Sequence, residues 1–251
     1  MMKTTTEAKF MTRIINVMGV PFTLKMGTLT IETDAHLTFD QTVKNVAHYL
    51  HHIEKITTIP QDATPLERQR GLAKTELTPL LHQFDFINHV AQSSLDQSTL
   101  MTILTRQWAI RQAFIKYLQP LLQLPSVFAV ALECPGTIQV GTAADTTFTW
   151  TIGVETPHRA NTAYQLQNGA VVTQSANLAT DDNISNLLQA TIVASDLAEA
   201  STWATIAVGT AIPSFLRIAV THRLSGFLIS SPTAGQSLDR GTVQQHDLVA
   251  V

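Results

Sequence analysis

The sequence holds a single cysteine, Cys134, in 251 residues. One thiol excludes an intrachain disulfide and any cysteine-rich metal site. Beside the Pro135-Gly136 turn it reads as an inert, partly buried group. Charge is scarce as well: 14% of residues are Asp, Glu, Lys or Arg, and the net charge is −3. The few Lys and Arg are scattered without a basic stripe, so nucleic acid is not an expected partner. No apolar run approaches the roughly 20 residues needed to cross a bilayer, so no membrane partner is expected. The opening MMKTTTEAKFMTR lacks the apolar segment of a signal peptide and carries no lipoprotein cysteine. The expected location is therefore cytoplasmic. A P-loop, a Rossmann glycine fingerprint and a nucleophile elbow are also missing.

What is present is enough apolar material, 45% of residues, for a well-formed core. Residues 14–25 (IINVMGVPFTLK) are β-rich, and residues 28–33 (TLTIET) alternate. The two read as a hairpin around Met26-Gly27. Thr38, with Gln41 three residues later, has the spacing of a capping box. Phe39, Val43, Val46, Leu50 and Ile53 then form an amphipathic stripe. His48 and His52 stand i, i+4 on that helix, a spacing that can chelate a metal, but they fall opposite the apolar stripe. Residues 57–71, with Pro60, Pro65 and a charged run, read as a loop. Residues 75–90 read as a helix, residues 93–105 as polar and weakly patterned. A further helix runs from Trp108 and is tightened or ended by Pro120.

The second half changes character. Residues 127–132 and 137–141 read as strands joined at Cys134-Pro135-Gly136. Phe148, Trp150, Ile152 and Val154 alternate, the pattern of a half-buried strand. Asn168-Gly169 between apolar runs is a type I′ hairpin signature. A polar loop over 174–186 leads to the unit QATIVASDLAEASTWATIAVGTA, residues 189–211. Here a strand turns at Ser195-Asp196 into a small-residue helix, with Asp196 and Glu199 spaced as a capping box. Ser201 and Thr205 are i, i+4, so both hydroxyls share a face, and Glu199 falls near the opposite one. Pro213 starts another helix through Arg223, closed near Gly226, and GFLIS is a final strand. Hairpin strands mixed with helices indicate one α+β domain with a mixed or antiparallel sheet. Its expected span is 14–230, after a disordered leader at 1–13 and before a polar tail at 231–251.

Several short strings, in their order and spacing, resemble the ApbE family of flavin transferases (FAD:protein FMN transferases), formerly called thiamine biosynthesis lipoproteins. The family's Met-Gly-Thr strand is matched by Val17-Met18-Gly19-Val20. Its Lys-Gly-aromatic-Ala segment falls on Arg106-Gln107-Trp108-Ala109. Its Gly-Gly-Asp-Ile turn falls on Pro135-Gly136-Thr137-Ile138. The Trp-x-Ile-Gly-Ile-x-x-Pro strand is matched by Trp150 to Pro157, and the Ala-x-x-Thr-Ser-Gly segment by Ala170 to Ser175. The Ala-Asp-Ala-x-x-Thr-Ala helix falls on Ala200-Ser201-Thr202-Trp203-Ala204-Thr205-Ile206.

The resemblance implies an ApbE-like, T-fold-like architecture, bound FAD, and a Mg²⁺ that assists transfer of FMN to a hydroxyl of an acceptor protein. It places cofactor contacts at Met18, Gly19, Gly136 and Thr173 and a metal ligand at Thr205. At the metal-binding Asp of the closing helix this chain has Ser201. The Asp-x-Gly turn falls on Leu100-Met101-Thr102, the Asp of the Gly-Gly-Asp turn on Thr137, and the His-Ile-x-Asp-Pro segment is replaced by ATDDNISN. Mg²⁺ takes hard oxygen ligands, usually with at least one carboxylate. The expected function is thus that of a divergent ApbE-like protein that binds flavin, another nucleotide or a partner protein without transferring FMN. The alternative is an active transferase in which Asp181 and Asp182 supply the missing carboxylates. A third reading, an unrelated enzyme using Cys134 or a His, has no motif behind it.

Overall fold

Two residues with positive φ set the first hairpin. The structure, a computed structural model, describes residues 8–29, 33–57, 78–91, 97–154, 162–175, 187–231 and 234–247. Strands β1 (Lys9–Val17) and β2 (Val20–Thr28) pair antiparallel about Met18-Gly19. Met18 has φ 54° and Gly19 φ 71°, as a type I′ turn requires at both central positions. The turn expected at Met26-Gly27 does not form, because Gly27 lies inside β2. The aromatic rings of Phe128 and Phe10 occupy the space beside it: a Cβ there would stand 2.6 Å and 2.9 Å from them.

The remaining strands are β3 (Val127–Cys134), β4 (Thr137–Thr142), β5 (Trp150–Val154), β6 (Thr162–Leu166), β7 (Gly169–Ser175), β8 (Gln189–Ala194), β9 (Ser225–Ser231), β10 (Ala234–Asp239) and β11 (Thr242–Asp247). Nine of them make one sheet in the order β1-β2-β3-β4-β7-β8-β9-β10-β11. Every neighbouring pair is antiparallel. The sheet is wider than residues 14–230: β1 begins at Lys9, inside the expected leader, and β10 and β11 come from the expected tail. Strands β5 and β6 form a separate two-stranded ribbon. Asn168-Gly169 is therefore not a hairpin turn. Instead Asn168 Oδ1 accepts from the Thr142 amide at 3.1 Å, drawing the two ends of the ribbon excursion together.

The helices cover one face. They are α1 (Thr33–Thr57), α2 (Thr78–Val90), α3 (Gln97–Ala113), α4 (Leu197–Val208) and α5 (Ile212–Thr221). The stripe on α1 is buried at Phe39, Val46, Leu50 and Ile53, while His48 and His52 are exposed. Helix α3 starts at Gln97, inside the stretch expected to be unpatterned. Leu100, Leu104, Thr105, Gln107, Trp108, Ala109 and Ile110 are all buried on it. A helix covered on most sides has no polar face to make a period visible. Its continuation passes through a π turn (Phe114–Leu118) into a 3₁₀ turn (Gln119–Gln123) that contains Pro120. Helix α5 has Pro213 in its first turn and stops at Thr221, with Arg223 rather than Gly226 taking the positive φ, 52°. Of the loops expected at 57–71 and 174–186, Thr57 closes α1 and Gln174 and Ser175 belong to β7, while residues 58–71 and 176–186 lie outside the described residues.

Strands β8 and β9 approach too closely at Gly226 for any side chain. A Cβ there would stand 2.1 Å from the Thr191 carbonyl oxygen, whereas nothing lies within 4 Å of one at Gly153. Gly226→Ala is expected to lose about 1–3 kcal/mol of stability through overpacking. Gly153→Ala should stay within about 0.5 kcal/mol. Urea denaturation of the two variants checks the contrast.

Candidate functional site

Successive side chains point to opposite faces of a strand, and this sorts the sheet into two layers. Val130, Leu132, Cys134, Val172, Ala190 and Ile192 belong to the large core under the helices. Ala129, Ala131, Val140 and Val171 pack with Trp150 and Ile152 of the ribbon. At the end of this ribbon-side layer opens a cleft of ≈ 560 Å³. Pro21, Ile138, Ile152 and Val171 give it apolar walls, and Thr23, Glu133, Thr173 and Gln189 give it polar ones.

Gly136 and Thr173, two of the expected cofactor positions, meet in this cleft. The Thr173 amide donates to the Gly136 carbonyl at 2.7 Å. Gly136 has φ 73°, and a Cβ on it would stand 2.8 Å from the Thr173 carbonyl oxygen. Glycine is thus required there by conformation and by space. The Thr173 hydroxyl shares a 2.9 Å hydrogen bond with Thr191. Met18 and Gly19 form the β1–β2 turn two residues before Pro21, which lines the cleft. Among the described residues Glu133 is the carboxylate that lines the cleft, and Lys25 holds it at 2.8 Å.

Cys134 also lines this space, yet it is not a nucleophile in waiting. Burial pushes its thiol up to about 11, with Glu133 adding to the rise. The Arg106 charge and a hydrogen bond with Thr137 oppose that only in part. A reactive cysteine needs the opposite shift.

Ser201 and Thr205 lie in the other layer. Asp196 caps α4 by accepting from the Ala198 amide at 2.8 Å, and Arg111 holds the same carboxylate at 2.6 Å. The expected reciprocal half of the capping box is altered: Glu199 accepts from the Ser195 hydroxyl at 3.3 Å. Small residues let α4 sit close against β7 and β8, and ten of its side chains are buried. Ser201 Oγ donates to Gln107 Oε1 on α3. Thr205 Oγ1, one turn further on, is buried without a hydrogen-bond partner among the described residues. The sheet therefore separates the expected cofactor residues Gly136 and Thr173 from the expected metal residues. Asp181 and Asp182 lie outside the described residues.

The groups beside Ser201 do not suit Mg²⁺. They are a carboxamide and hydroxyls, with no carboxylate bonded to either Ser201 or Thr205 among the described residues. Nor do the described residues hold any group of three or more His, Cys, Asp or Glu able to bind a metal. Gln107 is the buried polar partner of Ser201 that motif alignment does not single out. Its signal was a polar side chain in the middle of a buried helix.

No protein-family model and no curated protein sequence matches the chain. Solved structures do. Flavinyl transferase ApbE of Pseudomonas stutzeri superposes with TM-score 0.61 at 11% identity, over 97% of this chain and 96% of that one. The ApbE protein of Thermotoga maritima gives 0.58 at 10% identity, over 88% and 94%. Flavin transferase ApbE of Vibrio cholerae gives 0.54 at 11%, over 97% and 98%. The chain therefore has the fold of the ApbE flavin transferases along nearly its whole length. No helix among the described residues is long and apolar enough to cross a membrane.

The raised Cys134 thiol has a measurable consequence. Between the ordinary value of 9.0 and about 11, the unfolded chain loses a proton that the folded chain keeps. Stability then falls as pH rises through that window. Denaturation midpoints between pH 8 and 11 are expected to drop more for the native protein than for Cys134→Ala. Alkylation by iodoacetamide at pH 8 should be slow until denaturant is added.

Proposed function

We propose that this chain is a divergent ApbE-like protein that binds a flavin nucleotide, FAD or FMN, in the sheet–ribbon cleft without Mg²⁺-dependent transfer of FMN. The observation that carries the reading is the contrast between the two layers. In one, Gly136 and Thr173 stand together in an open cleft. In the other, the implied metal position is closed by a neutral Gln107–Ser201 bond. A volume of ≈ 560 Å³ lies within the usual range for small-molecule sites. Flavin is the ligand class because the structural neighbours are flavin transferases by name and match over nearly their full length.

The second reading is an active, Mg²⁺-dependent FAD:protein FMN transferase that modifies an acceptor protein in the cytoplasm. Its support is the Thr205 hydroxyl, which has no partner among the described residues and is the ligand position carried over from the resemblance. Asp181 and Asp182 would then complete the metal site.

Flavin fluorescence titration in EDTA separates the readings from failure of both. Binding that survives EDTA is expected, with no FMN added to a threonine-bearing acceptor peptide when Mg²⁺ is supplied. Gly153→Trp should weaken binding at least tenfold with an unchanged melting temperature, because Gly153 lines the cleft with open space around it. An FMN mass on the peptide that disappears in Asp181→Asn/Asp182→Asn establishes the transferase instead. Absence of flavin binding with or without Mg²⁺ removes both.

A further inference from the structure

Gln107 is only 4% exposed, and Ser201 is 0% exposed. A buried Gln must find partners for a carbonyl and an amino group, and a mid-helix site has no spare backbone groups to offer. On this helix pair its carbonyl accepts a hydrogen bond from the Ser201 hydroxyl across the α3–α4 contact. The resemblance puts a glycine at position 107 and a carboxylate at position 201. Glycine at 107 would leave space between the helices, and a carboxylate at 201 would need a cation in it.

We propose that Gln107 is an internal plug: its carboxamide fills the space between α3 and α4 that a divalent cation would take, and it bonds the serine standing in place of that cation's carboxylate. The two replacements act as a pair. A carboxylate buried here without a cation would carry a large uncompensated desolvation penalty. Serine alone would leave a hydroxyl unsatisfied, as the neighbouring Thr205 hydroxyl already is among the described residues. Gln107 with Ser201 joins the helices with neutral groups and removes any requirement for metal. The inference concerns the helix side of the sheet and holds whether or not flavin binds on the other side.

The test uses Mn²⁺ as the probe, read by the electron paramagnetic resonance signal of the free ion. The native protein is expected to hold no Mn²⁺ that Thr205→Val releases. Gln107→Gly/Ser201→Asp should bind Mn²⁺, gain melting temperature in its presence, and lose at least tenfold in affinity when Thr205→Val is added. A double-mutant cycle keeps the question decidable if that variant does not fold. Gln107→Ala and Ser201→Ala should each lower the melting temperature by about 2–10 °C, and the pair should lose little more than either alone. Strictly additive losses overturn the plug. So does Mn²⁺ bound by the native protein and lost in Thr205→Val, or a folded Gln107→Gly/Ser201→Asp that leaves Mn²⁺ free. Flavin titration of the same samples is a separate readout, so loss of the flavin reading leaves this result standing.

Discussion

A helix buried on nearly every side can carry polar side chains only where the surrounding elements answer them. Helix α4 imposes that condition on the rest of this molecule. It lies between the sheet and the other helices, with Ala200, Ala204 and Ala207 keeping its backbone close to its neighbours. Its polar positions must then be met from outside. Gln83 of α2 donates to Thr202 and to the Ala198 carbonyl, at 2.8 Å and 3.1 Å. Gln107 of α3 meets Ser201, and Arg111 of α3 meets Asp196. The three helices are thus tied together by side chains that each answer a polar group on α4. Apolar packing sets how near the helices come, and these bonds set their register.

The same condition bears on chemistry. A metal centre at this contact would need charged ligands and an ion to balance them, deep in a region of low dielectric. Neutral groups meet the burial condition without charge. The ribbon-side layer is under no such restriction, because its cleft opens to solvent and Glu133, its carboxylate among the described residues, is balanced by Lys25. The two faces of one sheet therefore differ in what they can hold.

Much of the architecture was legible from residues. The stripe on α1, the strands on either side of Pro135-Gly136, the alternation through Trp150 and the Asp196 cap all follow local rules that tertiary packing did not override. The exceptions have physical causes. Met18 adopts a positive φ that is uncommon for a side chain of its size, so the true first turn lacked its usual signature. Asn168-Gly169 carries that signature, but the Asn side chain is used to bond Thr142. Helix α3 was hidden because burial on most sides erases amphipathic period. Strands β10 and β11 are rich in Gln, Ser and Thr and only partly buried, so they read as a tail. At the site, Gly136 and Thr173 could be aligned by motif because a turn and a strand are local. That Gln107 reaches Ser201, 94 positions away, is a property of packing.

The ribbon has a topological meaning. Strands β4 and β7 are direct neighbours in the sheet, although β5 and β6 lie between them in the chain. Thr142 and Asn168 close the gap where the chain leaves and returns. The large sheet is complete without the intervening segment. Ribbon and sheet are therefore separable units of structure: a shorter or longer cover over the cleft would leave every rung of the main ladder in place. What covers the cleft and what carries the main sheet have different addresses in this chain.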